Sequence, residues 1–180
     1  GINTTIKAGE HVVIEGINGS GKSTLGQIIA GHLTCTDGEI HWSQGEPPQD
    51  FSLSSLDDIA LQTMLIGPAS ALHPLLTVEE LLSFHASLRD WWPEVDLQNW
   101  IEDCGLSRHR RLNYAALSSG MQQRVKLILG LATKSSLLVL DEPCATLDSK
   151  GIDWYRETLS FTAQKTTVCV CSNNRKEDYL

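Results

Sequence analysis

The chain has 180 residues, 41% of them hydrophobic, with 22 acidic against 14 basic side chains and a formal net charge of −8. That is enough for one domain, or one domain with a subdomain, built on a real core. The acidic balance speaks against a dedicated nucleic-acid binder, which carries a basic face, and no apolar run approaches the ~18 residues of a membrane span. The five cysteines (Cys35, Cys104, Cys144, Cys169, Cys171) form no C-x-x-C pair and read as reduced cytosolic thiols.

The chain opens at Gly1 rather than Met and enters INTTIKAGEHVVIEG almost at once. This stretch reads as a strand, a turn at Ala8-Gly9 and a second strand, with an N-terminal piece expected ahead of it. Val12, Val13 and Ile14 form a short apolar run that predicts a buried strand ending at Gly16. GINGSGKST follows and matches G-x-x-x-x-G-K-[ST], with Gly16, Gly21, Lys22 and Ser23 on the fixed positions. Behind it, Leu25, Ile28, Ile29 and Leu33 fall at helical spacing. Strand, glycine loop and helix form the context of a phosphate-binding loop. The glycines let successive backbone N–H groups approach phosphate oxygens, and the helix N-terminus faces the same anion. Gly16, Ile17, Asn18, Gly19, Ser20, Gly21, Lys22, Ser23 and Thr24 are therefore the expected nucleotide contacts. Lys22 would reach the β- and γ-phosphates, and the Ser23 hydroxyl would bind Mg²⁺.

IALQTMLIG, at 59 to 67, reads as a further strand with Gln62 inside it. LTVEELLSFHASL begins with Thr77 and has Glu80 three residues later, the spacing of a capping box, with Val78, Leu81, Leu82, His85 and Leu88 on one face. Pro93 is expected to break that helix and Gly105 to end the next. LSSGMQQR, at 117 to 124, is a serine-glycine turn opening a helix whose apolar face is Val125, Leu127, Ile128, Leu129 and Leu131. LLVLDEP, at 137 to 143, is a buried strand that delivers two carboxylates at its C-terminal edge, beside the phosphate loop of an open α/β sheet. Asp141 would hold Mg²⁺ and Glu142 would orient and polarise a water. The last strand, TTVCVCS, runs into Asn173 and Asn174.

In this order the motifs closely resemble those of the ATP-binding cassette (ABC) ATPases, from about Ile6 to Asn174. LSSGMQQR is similar to the family signature LSGGQ, with Ser119 in place of a glycine and Met121 in place of glutamine, and ATLD at 145 to 148 is similar to the D-loop. The resemblance implies an α/β P-loop NTPase fold: a mostly parallel central sheet, N-terminal antiparallel strands and an inserted helical subdomain. On that reading residues 1–69 carry the P-loop part of the core, 70–117 the helical subdomain, and 118–180 the rest of one ABC ATPase domain. It further implies ATP and Mg²⁺ as ligands, Lys22 and Glu142 as catalytic groups with Glu142 the general base, and Asp141 and Ser23 as metal ligands. Two such subunits, alike or different, would close head to tail. Ser118, Ser119, Gly120, Met121 and Asp148 of one would then meet the ATP held by the other. A transmembrane permease would be the second partner, on the cytoplasmic face of a membrane, with no direct nucleic-acid contact. Trp91, Trp92 and Trp100 would serve either that permease interface or core packing. The short loops resemble bacterial export-type subunits, including the haem-exporter type of cytochrome c maturation.

Two family positions depart from the pattern. The glutamine expected where the loop leaves the third strand falls near Ala69 or Ser70 and is absent. The histidine expected after the last strand is replaced by Asn173, which can donate a neutral hydrogen bond but cannot act as an imidazolium. The six histidines (His11, His32, His41, His73, His85, His109) all lie elsewhere and read as surface or packing residues. Slow but real hydrolysis is the expected consequence, the alternatives being a non-catalytic ATP-dependent dimer clamp or a soluble, non-transport ABC ATPase.

Overall fold

The computed structural model describes residues 1–44, 49, 50 and 56–179. In chain order these include β1 (His11–Glu15), α1 (Lys22–Ile29), β2 (Ser43–Gln44), β3 (Gln49–Asp50), α2 (Leu56–Gln62), β4 (Thr63–Ile66) and α3 (Val78–Ala86). They continue with α4 (Leu97–Asp103), α5 (Ser119–Ala132), β5 (Leu137–Asp141), α6 (Ser149–Ala163) and β6 (Thr167–Ser172). A four-stranded parallel sheet runs β1-β6-β5-β4. Every residue of β5 and β6 is buried, as their unbroken apolar runs require of parallel strands covered on both faces. The register sets Glu15 opposite Ser172, Asp141 opposite Cys171, and Ile66 opposite Leu140. The segments that leave these strands therefore emerge level with one another along one edge of the sheet, where ligands bind in open α/β folds.

The helices follow from their caps. Thr77 accepts from the Glu80 N–H at 3.2 Å while the Glu80 carboxylate accepts from the Thr77 N–H at 2.8 Å, which completes the expected capping box on α3. Asp96 accepts from the N–H groups of Gln98 and Asn99 at the start of α4. Gly105 ends α4 with φ +76°, and Leu106 N–H reaches back to the Ile101 carbonyl at 2.9 Å with its side chain fully buried. Val78, Leu81, Leu82 and Ile101 join the core of α5, β4, β5 and β6.

Four expectations change. Residues 1–7 pair with no strand among the described residues; Ala8-Gly9 turns as expected, and the antiparallel pair there is β2 with β3. Extended backbone without a ladder partner keeps its polar groups in water, and Ile2 is 70% exposed. Among the described residues, β1 is an edge strand rather than a buried one, with Val13 37% exposed, because it pairs there with β6 alone. Gln62 closes α2 instead of lying in β4; its carbonyl accepts from Ser136 N–H at 2.8 Å, which stops the helix against the start of β5. Finally, α3 ends at Ala86, well before Pro93, and Leu88 stands 64% exposed beyond it. Beyond the helix end, the Arg89 side chain donates to the Thr63 carbonyl at 3.1 Å.

The tryptophans divide. Trp91 stacks on His85 and Trp100 meets Phe161 edge-on, both against the main core, whereas Trp92 lies under Lys165. All five cysteines are free, and burial raises Cys104 to about 11, so it stays a protonated packing group.

At Gly130 of α5, an added Cβ would stand 2.4 Å from Ile66 Cγ1. Gly130→Ala is expected to lower stability by about 1–3 kcal/mol through overpacking, even against alanine's helix preference. Urea unfolding reads the shift, and a double-mutant cycle with Ile66→Ala should return a favourable coupling.

Candidate functional site

The loop between β1 and α1 takes a shape that only glycine enters easily. Gly19 has φ +79° and Gly21, at the N-cap of α1, has φ +93°. A Cβ on Gly16 would lie 2.7 Å from Ser20 Oγ. Lys22 is only 7% exposed, and its ammonium lies under the loop, donating to the carbonyls of Gly16 at 2.8 Å and Ile17 at 3.0 Å. Ser23 and Thr24 are exposed at the start of α1, whose first turn carries no acidic side chain to oppose the positive end of the helix dipole. Gly26 lets α1 settle directly onto the sheet, since a Cβ there would stand 3.0 Å from Cys171 Sγ and 3.2 Å from Val139.

Across the same edge, Asp141 is 7% exposed and its Oδ1 has no hydrogen-bond partner among the described residues. It packs against Gly67, where a Cβ would stand 2.8 Å from that of Asp141. Glu142 leaves the sheet with φ +50° while its N–H still donates to the Cys171 carbonyl at 2.9 Å. The Asn173 amide donates to Glu142 Oε1, and Asn174 has φ +60°. Two non-glycine residues in the left-handed region thus sit on facing segments, a cost that folds tolerate where geometry serves a purpose. Where the loop glutamine is absent, Ser70 closes the turn instead: its hydroxyl accepts from Gly67 N–H at 3.0 Å and donates to the Leu65 carbonyl at 3.2 Å.

Asp178 escaped the sequence reading. It is fully buried, accepts from Cys144 N–H at 3.1 Å on one oxygen and from the Ser172 hydroxyl at 2.6 Å on the other. Tyr155 OH donates to its carbonyl at 2.6 Å. This knot ties the segment after Glu142 to the strand end before Asn173. Burial, with the Asp178 charge nearby, pushes the Cys144 thiol up to about 12. In NNRKEDYL nothing marks Asp178 apart from Glu177, so only the fold could identify it.

The signature turn is held apart from the phosphate loop. Ser118 caps α5, its hydroxyl accepting from Met121 N–H at 3.3 Å. With Ser119, Gly120, Met121, Arg124, Thr146 and Asp148 it lines a depression of about 390 Å³ to which no phosphate-loop residue contributes. Gly120 is required by close approach, because a Cβ there would meet the Thr146 carbonyl oxygen at 2.8 Å. Asp148 caps α6 by accepting from Gly151 N–H at 2.8 Å and pairs with Arg124; the Gly151 bond first, and then Arg124, hold its carboxyl below the usual range. Arg124 also donates to the Cys104 carbonyl at 2.9 Å, joining α4, α5 and α6. Its place, three residues beyond Met121, carried no flag in the sequence.

A family model described as ABC transporter matches residues 1–145. The cytochrome c biogenesis ATP-binding export protein CcmA of Sodalis glossinidius is 34% identical over 151 residues, covering 84% of this chain and 69% of that protein. Among solved structures, a dimeric ATP-binding cassette in a post-hydrolysis state with ADP and Pi superposes with a TM-score of 0.78 at 25% identity, over 99% of this chain and 84% of that one. CbiO1 from Clostridium perfringens, part of the transporter complex cbiONQ, gives a TM-score of 0.69 at 27% identity, over 97% and 71% of the two chains.

Removing the Asp178 carboxylate would strand two buried donors. Asp178→Ala is expected to cost about 2–4 kcal/mol in urea unfolding, with Asp178→Asn, which keeps one acceptor, in between.

Proposed function

As the chain belongs to the family of ABC transporter ATP-binding proteins, we propose that it hydrolyses ATP between two cassettes and couples their closure to a membrane permease of the export type. The observation that carries this is the separation of two half-sites. The phosphate loop, Asp141, Glu142 and Asn173 share one sheet edge, while Ser118 to Met121 and Asp148 line a separate depression. A nucleotide on the first half is complete only when a second copy supplies the second half. Residues 70–117, with α3 and α4, form the helical part facing the permease. No described helix is long and apolar enough to cross a membrane, so the permease would be another chain or segment.

The residues fit a metal-nucleotide. The unpartnered Asp141 Oδ1 and the exposed Ser23 hydroxyl are hard oxygen donors of the kind Mg²⁺ takes. When bound, Mg²⁺ would neutralise charge on the β- and γ-phosphate oxygens. The chain's own part is positional. Lys22 exchanges its two loop carbonyls for phosphate oxygens, and the amides of residues 16–24 with the α1 N-terminus hold the anion. Glu142 takes a proton from water as the new O–P bond forms and the β–γ bridging O–P bond breaks, giving ADP and phosphate. Asn173 fixes the direction of Glu142 through its amide. Ser118, as an accepting cap, keeps its own O–H free to donate to the partner's γ-phosphate.

An amide at 173 carries no charge to the γ-phosphate, and Ser70 offers no reach to the lytic water. Turnover should therefore be slow, since one lost electrostatic contact commonly costs about 10²-fold.

Measured as phosphate release with the permease present, Glu142→Gln should bind ATP with unchanged affinity, accumulate as a dimer and lose turnover by about 10²-fold or more. Asn173→His should raise turnover by about tenfold or more. Unchanged release in Glu142→Gln would refute the assignment of the base. Binding with no turnover in any form would leave ATP as a dimer clamp, the reading that the Glu142–Asn173 bond favours if it never opens.

A further inference from the structure

The opposite end of the sheet carries a second, larger depression, of about 580 Å³, where β4 and β5 begin. Its size falls within the range of small-molecule sites. Three cations line it, Arg89, Lys134 and Lys165, against one carboxylate, Asp90. Lys165 is matched by Glu94 at 2.8 Å and lies 5.9 Å from the Trp92 ring centre and 4.8 Å from that of Phe161. Arg89 is anchored to the carbonyls of Thr63 at 3.1 Å and Ala60 at 3.5 Å, but neither it nor Lys134 has a carboxylate partner among the described residues. Burial lowers the Arg89 pKa from its ordinary value, so a guanidinium anchored on two carbonyls is held partly desolvated without a carboxylate partner among the described residues.

The lining is also unfinished in its neutral polar groups. Ser135 is 8% exposed with a hydroxyl that has no partner among the described residues, and the Trp92 indole N–H is buried without one. Leu61 and Leu88 stand 66% and 64% exposed at the rim. Arg89 and Lys134 stand together in one depression on a chain of net charge −8. A buried hydroxyl and indole N–H without partners each call for an acceptor. Apolar side chains beside them call for a hydrophobic body.

We propose that this depression binds a small organic anion with an apolar or aromatic body, its charged head between Arg89, Lys134 and Ser135 and its body against Trp92 and the two leucines. The site stands at the strand ends away from Asp141 and shares no residue with the phosphate loop or the signature turn. It takes its ligand independently of ATP.

The test uses the whole chain and anilinonaphthalene sulfonate, an aromatic anion whose emission rises on leaving water. The expected result is saturable one-site binding with emission sensitised by tryptophan, unchanged by saturating ATP and unchanged in Lys22→Ala. Lys134→Glu should weaken it about tenfold or more while leaving ATP affinity as it was, and Trp92→Phe should remove most of the sensitised emission. Lys134 is exposed and its side chain has no hydrogen-bond partner among the described residues, while its backbone N–H donates to the Asp90 carbonyl, so this variant keeps the fold. Displacement by ATP, non-saturating binding, or equal affinity in wild type, Lys134→Glu and Lys165→Glu would overturn the proposal.

Discussion

The structure depends on β5 being paired on both edges and covered on both faces. A parallel strand in that position has no water on either side, so its N–H and C=O groups must find partners in β4 and β6, and its side chains must be apolar up to the last residue. Where the strand ends, the protein can place a charge at the boundary of the core. Asp141 and Glu142 stand there, and the register with β6 and β1 brings Asn173 and the phosphate loop to the same level. Shifting this pairing by one residue would take Asp141 and Glu142 out of level with Asn173 and the phosphate loop.

The site that results is held under tension. Asp141 is buried with an oxygen unpartnered, Lys22 is folded beneath its own loop, and Glu142 and Asn174 occupy backbone conformations that glycine would adopt more easily. The unpartnered Asp141 oxygen and the two left-handed residues carry a free-energy cost, whereas Lys22 is held by its two loop carbonyls. The Asp178 knot supports the arrangement, because a fully buried carboxylate with two hydrogen-bond donors, and a backbone carbonyl that accepts from Tyr155 OH, fix the two segments that carry Glu142 and Asn173. Asp178 thus acts through the segments it joins and has no contact of its own with Asp141 or Glu142 in its hydrogen bonding.

Charge is distributed with the same economy. The chain is acidic overall, yet its cations sit where anions are expected. Lys22 lies in the loop, Arg124 bridges the signature helix to Asp148, and Arg89, Lys134 and Lys165 gather at the far end of the sheet. Net charge therefore describes solubility and general partners, while local geometry decides which anions bind.

Much of this was legible from residues alone. G-x-x-x-x-G-K-S names its own chemistry because backbone N–H groups, a lysine and a hydroxyl must lie at fixed spacing around a phosphate. LLVLDEP predicts a buried strand ending in acids, and Thr77 with Glu80 predicts a helix start that forms as expected. These are local patterns, and local sterics enforce them. The misread positions are those decided by distant partners. Residues 1–7 look like a strand but find no ladder partner among the described residues, Val13 is exposed because β1 lies at an edge of the described sheet, and Gln62 ends a helix where Ser136 meets its carbonyl. Asp178, Arg124 and the depression beneath Trp92 were invisible for the same reason: their meaning comes from groups 20 to 34 residues away or more, such as Cys104 for Arg124 and Cys144 for Asp178. The sequence by itself determined which chemistry the chain carries, since short-range spacing is enough for that. Only the tertiary structure decided which buried charges are satisfied and which are left waiting for a ligand, because that depends on contacts no local pattern encodes.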